Sequence, residues 1–160
     1  MMRESEAMPE KLERELTLTR TLAAPRELVF KAWTDPGHLA RWWGPAGFTN
    51  PVCQVDLRPG GALYIVMRGP DGNEYPMKAT FLEVVPPERL VFSSAAVDAV
   101  GHCQLEGVTS ISFVDLGGKT RLTVHTRMKG LVPEAKFMLA GMEPGWNQSL
   151  DRLAAEVERR

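Results

Sequence analysis

The residues of this chain that could do acid–base or metal chemistry are few and far apart. The sequence has three histidines, His38, His102 and His125, and two cysteines, Cys53 and Cys103. A nucleophilic cysteine needs a base within hydrogen-bond reach, and His102 and Cys103 are sequence neighbours, whose side chains point to opposite faces of an extended strand. The two cysteines fit neither a zinc site nor a disulfide framework. We therefore expect two buried free thiols.

Motifs for phosphate, dinucleotide or zinc binding are missing from the sequence. His125 alternates with Arg121 and Arg127 along a predicted strand, so we expect it to face solvent. Six other polar residues could reach a cavity, but none forms an acid–base pair at a diagnostic spacing. They are Tyr64, Glu74, Tyr75, Glu106, Arg127 and Asn147. The sequence thus predicts no catalytic residue, no cofactor and no metal, and leaves weak catalysis open.

The charge balance excludes some classes of partner. Nineteen Lys and Arg against twenty Asp and Glu give a net charge of -1, which makes no case for nucleic acid or for an anionic membrane surface. The charged N-terminus lacks the apolar region of a secretory signal. No apolar run approaches the ~20 residues of a membrane-spanning helix. We expect a cytoplasmic protein.

The longest helical pattern lies at the C-terminus, in residues 146–160. Trp146, Leu150, Leu153 and Val157 form one apolar stripe, with Arg152 among the polar residues that cover the other side. A shorter helix is predicted over residues 133–140, and residues 141–144 mark a break before the final helix. One long helix in a mostly β chain must bury its stripe against a sheet.

The rest of the chain alternates apolar and polar residues with a period of two. A first strand (15–22) precedes two short helices that start near Pro25 and Pro36. Six hairpin-connected strands follow, so the sheet should be antiparallel; they cover residues 52–57, 62–68, 74–85, 89–94, 105–116 and 119–128, with 95–104 as a loop. We expect a flexible N-terminus (1–14) and a single α+β domain (15–160).

A twisted sheet curls, and one helix fills its concave face only partly, so the sequence predicts a cavity between them. Alternation alone does not separate a cavity wall from a filled core. For the adjacent tryptophans Trp42 and Trp43 we expect one in the core and one near the mouth or at an interface. The predicted ligand-binding residues are Trp42, Leu63, Ile65, Met67, Met77, Phe81, Phe92, Ile111, Phe113, Phe137, Met138, Met142 and Trp146.

Several short motifs occur in an order that resembles one known family. They are WTDP (33–36), WWGP (42–45), DLRPGG (56–61), PPERL (86–90), KTRL (119–122) and GWNQSL (145–150). The chain resembles the SRPBCC superfamily, which includes START lipid-transfer domains and birch-pollen-type allergens. Within it, the chain is similar to the C-terminal domain of the activator of the ninety-kilodalton heat-shock chaperone's ATPase.

The resemblance implies a helix-grip fold and the binding of a small hydrophobic ligand. It also implies two alternatives: a module that regulates a chaperone in the stress response, and an enzyme of the polyketide-cyclase kind. The well-known chaperone activator has an additional N-terminal domain that is not found in this sequence. A homodimer is a further prediction for so compact a domain.

Overall fold

The computed structural model describes residues 12–98 and 100–158. Within these ranges seven strands form one antiparallel sheet in the order β1-β7-β6-β5-β4-β3-β2, and the long C-terminal helix packs on it. The elements are β1 (Glu13–Leu22), α1 (Arg26–Thr34), α2 (Pro36–Trp42), β2 (Thr49–Val55), β3 (Ala62–Arg68), β4 (Glu74–Val85), β5 (Arg89–Val97), β6 (Cys103–Asp115), β7 (Thr120–Gly130), α3 (Ala135–Ala140) and α4 (Met142–Glu158). This arrangement confirms the predicted α+β helix-grip fold.

Strands β2 to β7 pair in chain order, and β1 returns to pair with β7. The helices α1 and α2 connect the two edges of the sheet. Their boundary is set by Asp35, which ends α1 and caps α2 by accepting the amide of His38 at 3.1 Å. Pro36 follows at the first helical position, where its missing N–H leaves no intrahelical bond unmade.

The apolar side chains pack in two clusters along the inner face of the sheet. The larger cluster buries the stripe Leu150, Leu153 and Val157 of α4 against the sheet and against α1 and α2, as the helical pattern predicts. The smaller cluster contains Leu105, Met128, Ala135 and Leu139. Two separate clusters on one face mean that the inner surface is not filled continuously.

The structure corrects the predicted ends of several strands. Strand β5 extends to Val97 and β6 begins at Cys103, so the predicted loop 95–104 is wrong at both of its ends. Ala96 pairs with Leu105 across these strands, and cross-strand pairing of this kind outweighs weak local propensity. Strand β1 begins at Glu13, opposite Lys129. Residues 1–11 of the predicted flexible N-terminus lie outside the described residues.

The break before the final helix is shorter than predicted. It consists of Gly141 alone, which itself has helical φ and ψ of -87° and -2°, and α4 begins at Met142. Pro144 lies in the first turn of α4, where a missing N–H costs no hydrogen bond. The amide of Gly145 still donates to the Gly141 carbonyl at 3.0 Å. α3 and α4 therefore form an almost continuous cover over one end of the sheet.

Candidate functional site

A cavity of about 330 Å³ lies between the helices and the inner face of the sheet. Its wall includes Met77 and Trp146, which pack on the larger cluster, and Leu105 and Met128 of the smaller cluster. The cavity therefore occupies the gap between the two clusters. Tyr75 (42% exposed) and Met138 (38% exposed) belong to its wall and mark the open side.

Small side chains on β5 and β6 make the floor of the cavity. Along the inner face of β5, Phe92 is followed by Ser94 and Ala96, both of which line the cavity. Ser94 lies opposite Gly107 of β6, which has no side chain. The side chain of Met128 covers Gly107, because a Cβ there would lie 2.5 Å from Met128 Sδ. The small side chains of Ser94 and Ala96 beside it leave the floor low.

The roof comes from α3 and α4. Six residues at four-residue spacing face the cavity, because residues four apart lie on one side of a helix. They form one row of large side chains and one row of small ones: Met138, Met142 and Trp146, and Gly141, Gly145 and Ser149. Because Gly141, Gly145 and Ser149 are small, the roof leaves empty space above the small side chains of the floor.

The side wall includes the segment Trp43-Gly44-Pro45, which Arg152 of α4 holds in place. The Arg152 guanidinium donates to the carbonyls of Trp43, Gly44 and Pro45 at 3.2, 2.9 and 2.9 Å, and to that of Arg41 at 3.1 Å. Burial lowers the pKa of this guanidinium. The end of α2 and one wall of the cavity are thus fastened to α4.

Glu156, one turn further along α4, also binds α2. It is only 6% exposed, and its Oε2 lies 3.0 Å from Arg41 Nη1 and 3.3 Å from His38 Nδ1. The polar side of α4 therefore packs against α2 in part. His38 takes part in this structural contact and does not reach the cavity.

Apart from the indole N–H groups of Trp43 and Trp146, the polar side-chain groups of the cavity wall are hydroxyls. Thr109 and Thr126 lie side by side on the floor, with their oxygens 2.8 Å apart. Ser149 on the roof accepts the amide of Gly44 at 3.1 Å. Ser94 and Tyr75 complete the set. Among the described residues that line the cavity there is no carboxylate, imidazole, amine, guanidinium or thiol.

Six of the thirteen residues predicted to bind a ligand do line the cavity: Met67, Met77, Phe92, Met138, Met142 and Trp146. Six others belong to the larger packed cluster and are buried away from it: Trp42, Leu63, Ile65, Phe81, Ile111 and Phe113. Phe137 is 70% exposed on the outer side of α3, below the Nζ of Lys136. Alternation predicts which strand residues lie on the inner face of the sheet. Their position along the strand then determines whether they pack against α4 or line the cavity.

The two adjacent tryptophans are divided between core and cavity as expected, but Trp43 lines the cavity and the predicted Trp42 does not. Trp42 is fully buried, and its indole N–H donates to the Ala32 carbonyl at 2.9 Å. Trp43, which ends α2, lines the cavity instead. The sequence did not show the order, because it depends on where the last turn of α2 ends.

Of the six polar residues predicted to reach the cavity, Tyr75 lines it. The small residues, serines and threonines of the wall were not predicted. The same alternation that led to Phe92 and Ile111 also places Ser94, Ala96 and Thr109 on the inner face. The spacing of Gly141, Gly145 and Ser149 was a second available signal. Apolar alternation points to large residues that fill space, whereas a cavity also depends on small residues that leave space.

The other candidates for chemistry lie outside the cavity wall. His125 pairs with Glu15 on the outer face of the sheet, and His102 lies 3.6 Å from Asp98 in the β5–β6 loop. Both cysteines are free and half-buried. Burial, with a smaller effect from the charge of Asp35, raises the pKa of Cys53 to about 11. This thiol is protonated at neutral pH and hence a poor nucleophile.

No group of side chains suited to a metal ion occurs in the described part of the chain. Nor is any helix in residues 12–98 and 100–158 long and apolar enough to cross a membrane.

The family model described as "Activator of Hsp90 ATPase homolog 1-like protein" matches residues 23–158. The chain belongs to this family. The match agrees with the resemblance to the SRPBCC superfamily that the short motifs indicate. No curated protein matches the chain at a significant level.

Solved structures of bacterial proteins share the fold. A protein from Chromobacterium violaceum is 32% identical with a TM-score of 0.79, and the alignment covers 90% of this chain and 96% of that one. A protein from Nitrosomonas europaea is 30% identical with a TM-score of 0.74 and coverage of 93% and 96%. The AHSA1 protein from Silicibacter pomeroyi is 28% identical with a TM-score of 0.76 and coverage of 89% and 96%.

Proposed function

We propose that this protein binds a small hydrophobic molecule in the cavity between α3–α4 and the sheet. The observation that carries the proposal is a cavity of about 330 Å³ that lies between the two packed clusters of the inner face. Ligand pockets usually span roughly 300–1,000 Å³, so the expected ligand is small. A long-chain lipid would not fit entirely inside.

The composition of the wall supports the same proposal. Protein interiors are normally close-packed, and side chains around a void lose the contacts that neighbouring atoms would give. Five methionines border this void: Met67, Met77, Met128, Met138 and Met142. Methionine is flexible and polarisable and suits surfaces that adapt to a ligand. A bound apolar molecule would restore the missing contacts.

Filling the cavity tests this proposal. Ala96 and Ala95 are neighbours on β5, and they face the cavity and the outer side of the sheet respectively. We expect Ala96→Phe to abolish binding of the neutral dye N-phenyl-1-naphthylamine, because the new ring occupies the space. The matched variant Ala95→Phe should bind the dye as the wild type does.

Dye fluorescence gives the affinity, and circular dichroism confirms that both variants fold. If the wild type does not bind the dye, or if Ala96→Phe binds it unchanged, the cavity is not a binding site for apolar molecules.

The alternative roles have less support. A cyclase-like enzyme needs a general acid or base next to its substrate, and the one ionisable side chain of the described cavity wall is Tyr75, at the open side. The proposal of a chaperone partner is supported by the description of the family. It is tested by measuring whether the protein, at micromolar concentration, stimulates the ATPase activity of a chaperone. The homodimer and the cytoplasmic location remain predictions; light scattering after size exclusion would measure the former.

A further inference from the structure

We infer that the ligand is an uncharged molecule with a hydrogen-bond acceptor, and that this acceptor binds the hydroxyl pair of Thr109 and Thr126. The inference rests on the proposed function and specifies the chemistry of the ligand. It starts from the hydrogen-bonding capacity of two side chains that line the cavity and are only 2% and 1% exposed.

The hydroxyl pair has one hydrogen more than it can use internally. Each threonine hydroxyl contributes one donor hydrogen, and one of the two hydrogens forms the 2.8 Å bond between Thr109 and Thr126. Whichever residue donates, the hydrogen of the other lacks an acceptor among the described residues. An unmade hydrogen bond of a buried hydroxyl is costly. A ligand oxygen in the cavity would accept this hydrogen.

The position of the pair suits a ligand that is mainly apolar. Thr109 lies opposite Phe92 on β5 and one inner-face position from Ile111, at the border between the filled core and the cavity. The deep end of the cavity thus carries a donor surrounded by apolar side chains. Ser149 on the roof, whose oxygen accepts the Gly44 amide, provides a second hydroxyl on the opposite wall.

The uncharged wall of the cavity also favours an uncharged ligand. An ion that is buried without a partner of opposite charge loses far more solvation energy than the apolar contacts return. No charged side chain lines the cavity in the described part of the chain. A carboxylate ligand could therefore bind only with its charged group at the open side near Tyr75, away from the hydroxyl pair.

Three probes with the same two-ring skeleton separate these features: 2-acetylnaphthalene (a ketone), 2-ethylnaphthalene (a hydrocarbon) and 2-naphthoate (an anion). Their affinities are measured by isothermal titration calorimetry at neutral pH. The test variant is Thr109→Val/Thr126→Val, which removes both hydroxyls and keeps the shape of the side chains. The control is Thr19→Val/Thr123→Val, because these threonines form a similar pair on the outer face, 3.4 Å apart.

We expect the test variant to weaken ketone binding about three- to tenfold, the value of one neutral hydrogen bond, and to leave hydrocarbon binding unchanged. The control variant should bind all probes as the wild type does. Naphthoate should bind at least about tenfold more weakly than the ketone, with no change in the test variant.

Two results would overturn the inference while the proposed function stands. One is an equal loss of affinity for the ketone and the hydrocarbon in the test variant, because the hydroxyls would then have no polar role. The other is naphthoate that binds as tightly as the ketone and depends on the hydroxyl pair. If the wild type binds neither the neutral probes nor the dye, both the proposed function and this inference fail.

Discussion

The inner face of the sheet has a filled end and a hollow end, built from the same strands. At the filled end β4, β6 and β7 contribute large apolar side chains, and α4 covers them with Leu150, Leu153 and Val157. At the hollow end β5 to β7 contribute Ser94, Ala96, Thr109 and Thr126, and the helical segment above them contributes Gly141, Gly145 and Ser149. Small residues thus occur in both layers at this place, next to the methionines that border the cavity.

The difference between the two ends shows that a cavity can form in this fold without an irregularity in the pairing of β5, β6 and β7 between the core and the cavity floor. The register of β5, β6 and β7 continues without interruption from Leu90, in the core, to Ala96, at the cavity. What changes along β5 is the size of the inner-face side chains, from Leu90 and Phe92 to Ser94 and Ala96. Variants in the two ends should therefore differ in what they change: stability at the filled end, and ligand binding at the hollow end.

The largest effect on stability is expected for Leu153→Ala at the filled end. Leu153 is completely buried between α4 and the sheet. Truncating it should lower the free energy of unfolding by about 2–5 kcal/mol, because apolar contacts are lost and a void remains. Urea-induced unfolding measures the change.

A smaller loss of stability is expected for variants of Thr109 and Thr126, the hydroxyl pair that lies between the filled end and the hollow end. Thr109→Val alone should lower the free energy of unfolding by about 1–3 kcal/mol, since Thr126 then lies buried without a partner. Thr109→Val/Thr126→Val should cost less than the two single changes added together. Strict additivity in urea unfolding would mean that the hydrogen bond between them contributes nothing.

Gly145→Ala should modestly increase the stability of the protein. A Cβ at this position would meet only Pro45 Cγ, at 3.9 Å, which is an ordinary contact. The change should stabilise the protein by about 0.5–1 kcal/mol, because alanine loses less backbone entropy than glycine in a helix. A lower melting temperature would show that the roof has no space for one more carbon.

The smallest effect on stability is expected for Met138→Ala, at the open side of the cavity. Met138 is partly exposed, so its removal should change the free energy of unfolding by less than about 1 kcal/mol. Dye affinity should nevertheless fall, because a contact with the ligand is lost. If Met138→Ala and Leu153→Ala affected melting and dye binding equally, the division into a filled and a hollow end would be wrong.

The sequence was sufficient for the order of the elements, because helical and strand periodicities do not depend on distant contacts. It was not sufficient for the site. Leu63 and Met67 fit the same alternation on β3, yet one is in the core and the other lines the cavity. Which of them meets α4 depends on where the helix crosses the sheet, and no local pattern contains that position.

The polar side of α4 illustrates the same limit. In sequence, Arg152 and Glu156 are typical of a solvent-facing pair. In the structure Arg152 binds backbone carbonyls at the end of α2, and Glu156 binds Arg41 and His38. These contacts join residues more than a hundred positions apart.

The aromatic residues around α2 give the protein a built-in optical probe. All four tryptophans of the chain belong to one group, in which Trp33 lies 4.7 Å from Trp42, 6.1 Å from Trp43 and 6.2 Å from Trp146 between ring centroids. Excitation absorbed by any one indole can pass to the others at these distances. Since Trp43 and Trp146 border the cavity, the entire tryptophan emission of the protein reports on one place.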